Sequence, residues 1–156
     1  MSPLRPYVLA AKNRLVEGYE QLRLRHQSGG SGMEVCAAIS DLRDEVLLGL
    51  FEASLASLGP EEPAGLSRQV SLVAHGGFGR RDVAPHSDVD LMILRASGSA
   101  EPVGLLAERL LRDVFDVGLV PGHSVRTVEE ACQLACDDAT IASSLIESRF
   151  LAGSEE

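Results

Sequence analysis

Two carboxylates near the middle of the 156-residue chain carry its clearest chemical signal. Asp88 and Asp90 are separated only by Val89 and lead directly into Leu-Met-Ile-Leu94. Extended backbone alternates its side chains, so both acids point to one face of a strand. The residues beyond Asp90 are apolar on both faces, as in a strand buried inside a sheet. Two carboxylates at the head of such a strand repel each other and lose hydration. A cation relieves both penalties, and hard divalent ions such as Mg²⁺ take carboxylate oxygens together with phosphate oxygens. The pair therefore reads as a two-metal site. The alternative makes Asp88 a loop cap and Asp90 a solvated strand end, and it leaves two acids at the start of so hydrophobic a strand unexplained.

The segment leading to the pair fits the same chemistry. Gln69–Ala74 reads as a strand, and His75-Gly-Gly-Phe-Gly-Arg-Arg81 follows it. Gly76 and Gly77 fall where the chain must turn, and without Cβ atoms their N–H groups can approach phosphate oxygens. Arg80 and Arg81 stand close enough in sequence to add charge-assisted contacts to a triphosphate. A Gly-Gly turn is common and so is Asp-x-Asp; the specific signal is a strand, Gly-Gly, a loop over 78–87, and Asp-x-Asp heading a buried strand. Ser87 borders the pair and is a candidate phosphate or carboxylate contact. His86 is read as loop structure, and His75 as packing behind the glycine turn.

Several elements must position these residues. Val8, Ala11, Leu15, Tyr19 and Leu22 make one apolar stripe, which predicts a helix over Tyr7–His26. Ser28–Gly32 breaks the chain as a flexible connector. A second helix is expected over Glu34–Leu58, ended by Gly59-Pro60, with a polar loop over Glu61–Gly65. These helices form an arm whose work is packing. Further helices are expected over Val103–Arg112, from the Thr127-Val-Glu-Glu130 capping box through Cys136, and over Ala139–Leu151, with a third strand over Val114–Val120. Helices first, then strands interleaved with helices, indicate an α/β or α+β domain.

Composition narrows the function classes. The hydrophobic share of 45% and charged share of 24% are those of a soluble globular domain. No apolar run approaches the roughly 20 residues that span a bilayer, and Met-Ser-Pro-Leu-Arg-Pro lacks a signal-peptide core, so a cytoplasmic protein is expected. A net charge of −9 disfavours a long nucleic-acid partner, and the short cluster Arg23, Arg25 and His26 reads as a solvated helix end. Three cysteines without a Cys-x-x-Cys pair do not make a disulfide framework; Cys132 and Cys136 are expected as buried reduced thiols.

The Gly-Gly, loop and Asp-x-Asp arrangement resembles the signature of the DNA polymerase β-like nucleotidyltransferase superfamily. Three blocks narrow the resemblance to the bacterial PII-protein uridylyltransferases: His75–Arg80 with Pro85–Leu94, Phe115–Thr127, and Ile141–Gly153. The resemblance covers Val70 to Gly153; the Gly-rich break before a helix containing Ser40-Asp41 is compatible with the family's N-terminal arm, with less specificity. It implies an α+β nucleotidyltransferase fold, a small mixed sheet flanked by helices over 67–156, preceded by a helical arm over 1–66. It implies that Gly76 and Gly77 hold the triphosphate, to which the reading of the residues adds Arg80 and Ser87, and that Asp88 and Asp90 bind two Mg²⁺ ions. A third acid on a later strand is common in the superfamily, and Asp116 matches that place as metal ligand and base, with Asp113 as its rival. His123 and Arg126 lie in a shared block without an assigned contact. The implied reaction moves UMP from UTP to a tyrosine hydroxyl of a PII nitrogen-signalling protein, with neither nucleic acid nor membrane as partner. Adenylyl transfer within the same superfamily and a non-catalytic nucleotide-binding fragment are the competing readings. Full-length family members continue into a His-Asp hydrolase domain and sensing domains, whereas this chain stops at Glu156 and holds no His-Asp dipeptide; it is expected to be a truncated segment or a stand-alone transferase.

Overall fold

Two long helices open the chain in the computed structural model, which describes residues 4–59 and 65–155. Helix α1 (Pro6–Gln27) starts with Pro6 in its first turn, where a missing N–H costs nothing and the fixed φ suits the helix. Helix α2 (Gly32–Ala56) follows a tight connection in which Gly29 takes φ +100°. The two pack closely at Gly18, where an added Cβ would stand 2.5 Å from a Leu42 methyl. Both match the expected helices to within a turn. The polar loop expected over Glu61–Gly65 lies outside the described residues except for Gly65.

The sheet has four strands, β1 (Val70–Ala74), β2 (Val89–Arg95), β3 (Pro121–Arg126) and β4 (Arg149–Gly153), in the order β3-β2-β1-β4. β1 is antiparallel to both β2 and β4, whereas β2 and β3 run parallel. A parallel pair needs a crossover, and helix α4 (Ala100–Val117) supplies it. The short helix α3 (Gly76–Arg80) follows β1, and α5 (Val128–Asp137) and α6 (Ala139–Ile146) separate β3 from β4. The architecture is α+β with a small mixed sheet, as expected.

Side-chain alternation assigns the two faces of the sheet. Leu72 and Ala74 of β1 and Val89, Leu91 and Ile93 of β2 join one apolar core with α1, α2 and α4. Val73 and Met92 point the other way, into a smaller cluster with Ala131 of α5 and Leu145 of α6. Asp90 has the parity of Met92, so it faces α5 and α6 rather than the main core.

Four expectations are corrected. Val114–Val120 is not a strand: Val114 and Val117 continue the buried face of α4 set by Val103, Leu106 and Leu110, and Gly118 at φ +99° ends the helix. The third strand instead begins at Pro121, where a proline is tolerated because it is the first residue of an edge strand. The last helix stops at Ile146, and Arg149–Gly153 becomes a strand beside β1. The stretch after β1 is not all loop, since α3 starts at Gly76 itself. Cys132 and Cys136 are exposed rather than buried. The capping box does form, with Glu130 N–H donating to Thr127 Oγ1 at 3.2 Å and Thr127 N–H to Glu130 Oε2 at 2.7 Å.

Candidate active site

The end of β2 nearest α3 brings Asp88 and Asp90 together. Asp88 is exposed and immediately precedes the strand; Asp90 is its second residue and is half-buried. Burial raises the Asp90 carboxyl above its ordinary value, the Asp88 charge raises it further, and His75 acts against both. Neither carboxylate forms an ion pair among the described residues, although Arg80, Arg81 and Arg149 nearby are paired with other acids.

Two glycines shape the space beside Asp90. Gly76, at φ +56°, would place a Cβ 3.1 Å from Asp90 Oδ2. Gly122 lies next to Asp90 across the parallel β2–β3 ladder, and its Cβ would stand 2.6 Å from Oδ1. The carboxylate is therefore held between two backbones that approach it only because they lack side chains. His75 N–H donates to the Asp90 carbonyl at 3.1 Å, fixing the entry to α3 against the strand.

Beside Asp90 opens a cavity of about 300 Å³. His75, Gly122, His123, Arg126 and Ser144 line it with Asp90, over an apolar floor that includes Met92. His75 is thus a wall of the site rather than packing behind the turn, and its Nδ1 lies 2.7 Å from Ser144 Oγ. His123 and Arg126, whose contacts the sequence left open, share this cavity with the carboxylate.

The remaining expected residues divide. Gly76 and Gly77 form the first turn of α3, whose leading N–H groups have no partner within the helix. Arg80 is committed elsewhere: it pairs with Asp82 at 2.8 Å and with Glu147, and both contacts raise its pKa, the hydrogen bond to Asp82 first. Ser87 Oγ accepts from Ala84 N–H at 3.1 Å, a bond within the loop. Asp116 stands on α4, not on a strand, and does not line the cavity beside Asp90. Its rival Asp113 is fully buried against Arg5 and Tyr7. Among the described residues no three His, Cys, Asp or Glu side chains form a metal-holding group.

Sequence reasoning missed two arginines that brace the site. Arg43 of α2, 1% exposed, donates to the carbonyls of Pro85 at 3.0 Å, Ala84 at 3.4 Å and Asp88 at 3.5 Å. Arg149 of β4 donates to Phe78 and Gly79 carbonyls, each at 3.3 Å, and pairs with Asp44 of α2 at 2.7 and 3.1 Å. The available signal was Arg43 itself, a charge on the stripe that Ile39, Leu42 and Val46 make apolar.

A mixed sheet with paired acids at a strand head and a glycine turn beside them is consistent with the nucleotidyltransferase-like class. Curated relatives named bifunctional uridylyltransferase/uridylyl-removing enzyme match nearly the whole chain. That of Caulobacter vibrioides is 33% identical over 144 residues, 92% of this chain and 15% of the relative. Those of Phenylobacterium zucineum and Streptomyces coelicolor are 31% identical over 93% of the chain and 39% over 87%, which is 16% and 15% of their own lengths. The chain is homologous to the N-terminal region of these enzymes and spans about 15% of their length. No protein-family model matches it. No helix among the described residues is long and apolar enough to cross a membrane.

Proposed function

We propose that this chain is a metal-dependent nucleotidyltransferase unit that moves UMP from UTP to a tyrosine hydroxyl of a PII-type signalling protein. One observation carries the reading. Two carboxylates without an ion-pair partner among the described residues stand at the head of β2, and one of them, Asp90, lines a cavity and is lodged between Gly76 and Gly122. Such a pair fits a divalent cation: the donors are hard oxygens, and Asp90 is destabilised as a bare anion. Asp88 and Asp90 would hold the metal, and substrate phosphate oxygens would complete its coordination. When bound, the metal supplies charge neutralisation at the phosphates and lowers the pKa of the attacking hydroxyl.

The chain's own residues bind and orient. The first turn of α3 presents Gly76 and Gly77 N–H groups toward the triphosphate. Arg126, for which no ion pair is found among the described residues, offers a cation inside the cavity and replaces Arg80 as phosphate contact. The hydroxyl oxygen forms a bond to the α-phosphorus, the bond to the bridging oxygen breaks, and pyrophosphate and a proton leave. Asp116 has no part in this proposal because of its place on α4. The names of the relatives support uridylyl transfer, and the choice of UTP and of a PII acceptor extends from them.

The test is label transfer from α-phosphate-labelled UTP to PII protein with Mg²⁺, beside labelled ATP and the Asp88→Asn and Asp90→Asn variants. Label from UTP should appear on PII and fall at least about 100-fold in each variant. Preferential label from ATP would make the chain an adenylyltransferase. Mg²⁺-dependent UTP binding without transfer would make it a binding unit, and absence of nucleotide binding would remove the site.

A further inference from the structure

The geometry points to Arg43 as the positioning residue of the carboxylate pair: from α2 it holds the backbone before β2 and so sets where Asp88 stands relative to Asp90. This rests on the reading of the pair as a metal site. Arg43 belongs to the helical arm, far from the pair in sequence, yet its guanidinium is buried beneath the loop that carries Asp88. Its two terminal nitrogens reach three carbonyls of that loop, those of Ala84, Pro85 and Asp88. Its Nε donates to Tyr19 Oη at 2.8 Å, which ties the same group to α1.

The chemistry of this contact set is unusual for mere packing. Among the described residues no carboxylate pairs with Arg43, and the neighbouring Asp44 is taken by Arg149. A buried cation matched only by neutral oxygens and, at 5.9 Å, by the Tyr19 ring is costly to desolvate. A planar fork with five donors is, however, suited to gathering several carbonyls of one loop at fixed spacing, which a lysine cannot do. Asp88 is exposed, and its side chain forms no hydrogen bond among those found in the described residues, so its placement depends on its backbone. Asp90 needs no such help, being fixed by the β2 ladder, Gly76 and Gly122. Arg43 thus holds the half of the pair that the sheet does not.

The test compares the full chain with Arg43→Met, which keeps the stem and removes the fork, and with Tyr19→Phe, which removes only the hydroxyl that orients Nε. Mn²⁺ affinity is titrated with UTP present, and label transfer is followed against metal concentration. Folded Arg43→Met should bind Mn²⁺ at least about tenfold more weakly, and Tyr19→Phe about threefold. Transfer by both should recover at saturating metal, which a general loss of structure would not permit. Unchanged affinity in folded Arg43→Met, or loss that metal does not restore, overturns the inference; if that variant does not fold, Tyr19→Phe decides on the same terms. Wild-type chain that fails to bind Mn²⁺ overturns the metal-site reading itself and this inference with it. Wild-type binding matched by the variants overturns this inference alone.

Discussion

Asp90 occupies a folded environment that favours its protonated form, because burial strips its hydration and Asp88 repels its charge. The folded carboxyl then keeps its proton to higher pH than the unfolded one, so the folded state binds more protons across that window. Stability consequently falls as pH rises from about 4, the ordinary carboxylate value, through the raised folded value. Asp90→Asn removes the effect: its melting temperature in metal-free buffer at neutral pH should exceed that of the wild type, with a flatter pH profile. A lower melting temperature would show that the carboxylate stabilises the fold. Gly122 makes the complementary case from the other side of the cleft. Gly122→Ala drives a methyl to within 2.6 Å of Asp90 Oδ1, and the carboxylate must move. We expect a folded protein, destabilised by about 1–3 kcal/mol, whose nucleotide transfer is largely lost. At this scale the carboxylate pair and Gly76 were legible, since residue type and spacing carry their chemistry. Gly122 was not, because its role arises only when β3 is laid beside β2.

Elements show where local pattern gives way to tertiary packing. Val114 and Val117 are β-branched and read as strand, yet they lie three residues apart on the buried face of α4, and that burial decides the matter. Arg149–Leu151 reads as the end of the last helix, but the open edge of β1 takes Arg149–Gly153 as a strand. The capping box of α5 was legible because it is complete within four consecutive residues, 127–130. Thr127→Ala should cost about 1 kcal/mol in denaturant unfolding while leaving nucleotide binding intact. The bracing of α3 is not local at all. Arg149 joins β4 to Asp44 of α2 and to the carbonyls of Phe78 and Gly79, with its guanidinium 5.6 Å from the Phe78 ring. Arg149→Met leaves Asp44 without its partner, and we expect a loss of about 2–4 kcal/mol by urea unfolding.

At the scale of the molecule, the main apolar core runs from Val8 and Leu15 of α1 through Leu72 and Leu91 of the sheet to Leu119. The arm is tied to it by a polar lock as well: Asp113 of α4 is fully buried against Arg5 and accepts from Tyr7 Oη at 2.7 Å. Arm and sheet should therefore unfold together in one calorimetric transition, and Tyr7→Phe should lower its midpoint without splitting it. Two transitions would make the arm an independent unit. From the sequence by itself came the helices α1 and α2, the strands β1 and β2, and the paired acids at a strand head, because each is encoded in the periodicity or spacing of neighbouring residues. Tertiary structure alone decided that Asp116 belongs to a helix, that His123 and Arg126 line one cavity with Asp90, and that Arg43 lies beneath the Asp88 loop. Those relations join residues distant in the chain, and only packing of the arm against the sheet, with β3 laid parallel to β2, brings them within reach of one another.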